Sequence, residues 1–170
     1  MRKFIVLVGI LGVLTVASAL PAGAATPASF SLSAGGLSIS APTSTVSLGS
    51  QTVSNSSSTI SGSLGVVSVS DQRGGATTWV ASVIATAFTP VPANTTVPAV
   101  NVSYAPGTIT MSPLVVATAV AALDLTGISP VVNGASTGVS TASWNPTISI
   151  LIPANYAPGL YSGTITNSVA

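Results

Sequence analysis

Very few side chains in this sequence can do charged chemistry, and two of them stand at its start. The cations are Arg2, Lys3 and Arg73, the carboxylates are Asp71 and Asp124, and there is no Glu, His or Cys. General acid–base catalysis draws on His, tuned carboxylates or Lys. A nucleophile needs a base beside it, and metal sites need His, Cys or clustered carboxylates. The abundant Ser and Thr hydroxyls therefore have nothing to activate them. The inventory points to a non-catalytic protein with no cofactor and no metal, one that binds or builds.

Two stretches concentrate what chemistry there is. In Val67-Ser68-Val69-Ser70-Asp71-Gln72-Arg73-Gly74-Gly75-Ala76-Thr77-Thr78-Trp79 a strand-like run enters a turn holding opposite charges and two glycines, and a Trp follows. Asp side chains close turns on backbone amides two residues on. In one reading Asp71 caps the turn and pairs with Arg73, Gly74 serves the turn, and Trp79 fills the core. In the other, Asp71, Arg73 and Trp79 grip a ligand. The second stretch, Ile152-Pro153-Ala154-Asn155-Tyr156-Ala157-Pro158-Gly159-Leu160-Tyr161, reads as a corner feeding a last strand. There Tyr161 can return its hydroxyl to the corner backbone, whereas Tyr156 is a candidate for stacking on a sugar. Trp144 is assigned a structural role.

These groups must be carried by strands. Val, Ile and Thr dominate, helix-forming Glu and Lys are all but absent, and Gly and Pro recur at short intervals. Alternation of period two marks Phe30–Leu32, Leu37–Ile39, Thr45–Leu48, Val67–Ser70, Trp79–Phe88, Val100–Tyr104 and Ile148–Ile152. Tyr161, Gly163 and Ile165 share one face of a final strand. The apolar run Leu114–Leu125 fits a strand or a short helix by pattern, and its β-branched residues favour strand. Ser54–Ser63 reads as a loop or weak edge strand. The pattern predicts an all-β chain: a single antiparallel β-sandwich of immunoglobulin-like type over residues 25–170.

The two stretches also carry a resemblance. The chain resembles the WxL-type cell-surface domains of Gram-positive bacteria, in a divergent, actinobacterial-looking form, over roughly residues 60–170. Their Asp-x-Arg-Gly segment and following Trp match Asp71, Arg73, Gly74 and Trp79. Their closing Pro…Gly-x-Tyr-x-x-x-(Ile/Leu)-Thr strand matches Pro153, Gly159, Tyr161, Ile165 and Thr166. The tripeptides themselves depart from the pattern, reading Trp79-Val80-Ala81 and Asn167-Ser168-Val169. The resemblance implies a β-sandwich held non-covalently on the cell wall.

The N-terminus has the layout of a cleavable signal peptide over residues 1–24. Arg2 and Lys3 precede the apolar run Phe4–Ala17, and Ala22-Gly23-Ala24 offers a small-x-small cleavage site. That run is shorter than the ~20 residues a membrane helix needs, so no span is expected after cleavage. Removal of Arg2 and Lys3 leaves Arg73 against Asp71 and Asp124, one positive charge against two negative. No basic patch remains to attract nucleic acid, and low charge favours self-association. The expectation is a secreted, extracellular, non-enzymatic protein of the bacterial surface. Its partner would be a cell-wall glycan (peptidoglycan or wall polysaccharide) or another surface protein. The alternative is a structural subunit of a surface fibre or layer that assembles by strand addition.

Overall fold

A computed structural model describes residues 27–91 and 95–170. The expected signal peptide, residues 1–24, lies outside the described residues. Two units are separated at Leu32. Of the first, residues 27–32 are described; they are exposed and belong to no strand. Residues 33–170 form the second, which is an antiparallel β-sandwich.

Its strands are β1 (Leu37–Ser40), β2 (Ser58–Ser63), β3 (Val67–Asp71), β4 (Thr77–Ala85), β5 (Thr89–Val91) and β6 (Val102–Ala105). They continue as β7 (Ile109–Met111), β8 (Val115–Ala119), β9 (Ser129–Ser136), β10 (Ser140–Trp144), β11 (Thr147–Ile152), β12 (Leu160–Ser162) and β13 (Ile165–Val169). One layer is the sheet β13-β4-β9-β8. The other comes in two pieces, β1-β3-β10-β7 and β2-β11-β6. A small ribbon, β12-β5, stands beside them.

The two pieces are one layer with a crease. β2 runs on into β3, β10 into β11 and β6 into β7, and the three joints lie together. At the crease Leu64 N donates to Pro146 O at 2.9 Å and Gly65 N to Asn145 Oδ1 at 3.2 Å. Gly65 turns with φ of 94° and Gly107 with 74°, conformations open to glycine and strained for other residues. The opposite layer answers with a bulge. Ala81 pairs with Val132 but Ser82 with Pro130, which leaves Val131 as an extra residue. Two consecutive valines can then both point inward, and both are 0% exposed.

The crease divides the core in two. Val67, Val69, Trp79, Ala81, Val132, Ala142 and Trp144 fill one half. Val83, Phe88, Val102, Tyr104, Leu125, Val131, Ile148 and Ile150 fill the other. Burial of a large aromatic removes roughly 150–250 Å² from water, which at about 25 cal/mol/Å² makes each Trp worth some 4–6 kcal/mol of transfer free energy. One hydrogen-bonded chain joins the halves: Trp144 Nε1 donates to Tyr104 Oη at 2.8 Å, and Tyr104 donates to Asn167 Oδ1 at 3.3 Å.

Several expected strands fall differently. Phe30–Leu32 and Thr45–Leu48 alternate but pair with nothing, so no ladder forms there. The strand from Trp79 ends at Ala85, and Phe88 lies past it in an isolated bridge to Val97. In place of one final strand there are two, because the chain changes partner at Gly163: Tyr161 pairs with Pro90, whereas Ile165 pairs with Ala85. Leu114–Leu125 is strand over Val115–Ala119 only. Ser54–Ser63 contributes β2, an edge strand.

Candidate functional site

The charged turn lies between β3 and β4. Alternation along β3 aims Val67, Val69 and Asp71 inward, and Asp71 is 1% exposed. Arg73 closes on it through two bonds, Nε to Oδ1 at 2.9 Å and Nη2 to Oδ2 at 3.0 Å. Thr77 Oγ1 donates to Oδ2 at 2.7 Å, and Arg73 N to Oδ1 at 3.1 Å. The same guanidinium reaches Thr78 O at 2.9 Å. These donors, Arg73 first, outweigh the cost of burial and hold the Asp71 carboxyl well below the usual carboxylate range. The carboxylate in turn raises Arg73. Gly74 and Gly75 follow with φ of 72° and 70°, which complete the turn in a left-handed conformation.

Trp79 enters the core directly after this turn and is 2% exposed. Its ring lies on Gly134, where an added Cβ would strike the indole. Nε1 donates to Ser136 Oγ at 3.3 Å, and Ser140 Oγ donates to the same oxygen at 2.9 Å. In this arrangement Asp71 and Trp79 are closed to a ligand. Arg73 keeps about a third of its side chain exposed, but its charge is already matched. The structure therefore gathers Asp71, Arg73, Gly74 and Trp79 at one place and gives them the work of fastening a turn.

The two tripeptide segments, distant in sequence, lie side by side. Val169 of β13 pairs with Ala81 of β4, and Val80 and Ala170 exchange both backbone bonds at 2.8 and 3.1 Å. Trp144, 2% exposed, sits at the crease and donates to Tyr104. Burial pushes the Tyr104 phenol up to about 12, against a smaller downward pull from the Trp144 donor.

Tyr156 belongs to the opposite end of the sandwich. It lies half-buried beside Tyr161, ring centroids 6.5 Å apart, and its hydroxyl donates to Thr96 O at 3.2 Å. Tyr161 donates to Ala157 O at 2.9 Å, four residues back, which ties the corner to the strand it feeds. Both rings border an open cleft of about 810 Å³. Its walls include Leu48, Ile60, Phe88, Ile150 and Ile152, with the loop of residues 45–54 along one side and hydroxyls at the rim. None of the lining residues is charged. The sequence marked Tyr156 but not the cleft, which is assembled from segments about a hundred residues apart. Thr77 and Ser136 were missed too, since single hydroxyls in a Ser/Thr-rich chain carry no signal.

Among the described residues no three His, Cys, Asp or Glu side chains gather to hold a metal, and no helix is long and apolar enough to cross a membrane. No family model, curated protein or solved structure matches the chain.

Proposed function

We propose that this is a secreted, non-catalytic cell-surface protein that associates non-covalently with the cell wall, through uncharged contacts to peptidoglycan or wall polysaccharide. The observation that carries the reading is the outer face of the creased layer. Register places Ser40, Ser68, Ser143 and Thr110 in one row across four strands, and Ser38, Ser70 and Thr141 in the next. Beyond the crease Ser61, Ser149 and Ser103 form a third row. Strands lie about 4.8 Å apart, so the face offers closely spaced neutral donors and acceptors to a polyhydroxylated surface. The ion pair that could have served charged wall polymers is spent internally. The WxL-type resemblance supports the same reading, as does the side-by-side pairing of its two tripeptide segments.

Purified cell walls should pull the protein down, and the yield should change little between low salt and 1 M NaCl, because screening weakens only charged contacts. Release by salt would sink the uncharged mode, and failure to sediment would sink wall association. A second reading, a fibre or layer subunit, is favoured by one specific feature: no strand pairs with the outer edge of β2 among the described residues.

A further inference from the structure

The creased layer is uneven. On one side of the crease it has four strands, β1-β3-β10-β7, and on the other three, β2-β11-β6. The column that begins with β1 has no strand beside β2. The loop that follows β1 crosses β2 at Gly62, where an added Cβ would meet Leu48 Cα at 2.8 Å. Ser58 and Ile60, nearer the other end of β2, face the open cleft instead. The vacancy is thus bounded by an unpaired strand edge and floored by apolar side chains of the second core half. Strand edges of this kind are normally blunted by Lys, Pro or a bulge. β2 reads Ser-Thr-Ile-Ser-Gly-Ser and has none of these.

The chain also holds a segment with a strand's alternation and no sheet to join. Pro27-Ala28-Ser29-Phe30-Ser31-Leu32-Ser33-Ala34 alternates apolar and hydroxyl side chains, carries no charge, and joins no sheet. Phe30 is 89% exposed and Leu32 90%, a high exposure for large apolar groups in an alternating segment. We propose that this segment of one copy enters the cleft of another copy as the missing strand beside β2. Phe30 and Leu32 face the apolar floor, Ser29, Ser31 and Ser33 face the rim, and the backbone pairs with the β2 edge.

Chain length favours an intermolecular contact. The segment is fastened at Gly35, whose N donates to Gln72 O at 2.8 Å, at the Asp71 end of the sandwich. Five residues separate Phe30 from Gly35, a reach of at most about 18 Å. Ser140 pairs with Asp71, and Ile150, which lines the cleft, is ten residues further along β10 and β11, roughly 33 Å away along the strands. That tether falls short of the strand path to Ile150, which favours a second copy as the acceptor of Phe30 and Leu32. The donor is tethered at the Asp71 end and the acceptor cleft lies at the Tyr156 end, so the contact is heterologous: it propagates as an open chain, or closes as a ring where the rotation between copies permits. Such assembly rests on the fibre or layer reading and is independent of wall association, because the hydroxyl rows lie on the outer faces of the strands.

The test uses the secreted mature protein and sedimentation velocity over a concentration series. Wild type should form species larger than dimers that grow with concentration. The doubly substituted Phe30→Asp, Leu32→Asp protein should stay monomeric with an unchanged melt, since both sites are exposed. Two single-cysteine proteins, Leu32→Cys and Ser58→Cys, should cross-link to each other on oxidation far more than either does to itself; the native chain has no Cys to interfere. A synthetic peptide of residues 27–36 should cap and shorten the chains. A strictly monomeric wild type would overturn the proposal. Assembly that survives the double substitution would overturn the donor segment while leaving some other self-association. Binding of a neutral wall oligosaccharide in the cleft of a monomer would replace the second copy with a sugar. Wall pull-down of the double variant separates these outcomes from wall association itself.

Discussion

The two ends of this sandwich are built to opposite rules. At the Asp71 end the polar groups close on one another: the Asp71 carboxylate accepts four hydrogen bonds, the Arg73 guanidinium also reaches a carbonyl, and the Trp79 indole, seated on a glycine, donates to Ser136. At the Tyr156 end a layer loses a strand, a coil stands where a ladder could run, and the core opens into an 810 Å³ cleft. Polar convergence, which in sequence looks like a site, here closes the structure. The plain Ser-, Thr- and Ile-bearing segment is what leaves it open. Charge and aromatic content alone do not locate the open part of a sparsely charged protein.

Mutations at the two ends should differ in cost. Trp79→Ala should have the largest effect, a loss of about 3–5 kcal/mol, the usual cost of truncating a buried aromatic. Circular dichroism melting checks it, and an unchanged melt would mean that the closed end is not what holds the fold.

pH sharpens the contrast next. Tyr104 is pushed up to about 12 in the fold, against about 10 when unfolded. Its contribution is fully present below pH 10 and is lost as pH rises from there through 12. Two units correspond to about 3 kcal/mol at most. Asp71 is shifted the other way, so its contribution is present above about pH 4 and is lost as pH falls below the unfolded carboxylate value. With no His to titrate, the melting temperature should be nearly flat from about pH 4 to 9. Tyr104→Phe should abolish the alkaline phase and leave the acid one; an alkaline loss that persists would assign it to another group.

Asp71→Asn should cost about 2 kcal/mol, because charge-assisted bonds are exchanged for neutral ones and Arg73, partly in solvent, is not stranded. Urea unfolding measures it. Tyr156→Ala should be the mildest, roughly 1 kcal/mol or less, since its ring is half-buried and its hydroxyl meets only one carbonyl. A Tyr156→Ala loss as large as that of Trp79→Ala would erase the distinction between the two ends.

Much of the fold was legible wherever both faces of a strand had work to do. Val67–Ser70 and Ile148–Ile152 alternate because one face meets the core and the other water, and both are strands. The same alternation at Phe30–Leu32 and Thr45–Leu48 produced none, because alternation reports a strand's faces and says nothing about whether a neighbouring edge exists to pair with. Leu48 still packs on the core, as a single anchor from a loop. The break at Gly163 was hidden for a related reason: Tyr161 and Ile165 bury on the same core half while their backbones pair with different strands. The crease was present in sequence as Pro106-Gly107 and Asn145-Pro146, but each reads as an ordinary turn until the joints are seen side by side. Of the candidate residues, Asp71 and Arg73 were recognisable as a pair from spacing, whereas the cleft beside Tyr156 depends on contacts no local pattern encodes.

Hydrogen–deuterium exchange of the dilute protein, read peptide by peptide, tests the contrast between the ends most directly. Exchange should be slow across β3, β4 and β10 and fast across residues 45–60. The fast region should include the start of β2 and should become protected as concentration rises. Slow exchange at residues 45–60, equal to that of β3 in dilute solution, would contradict it, because the sandwich would then be as firmly closed at the Tyr156 end as at the Asp71 end.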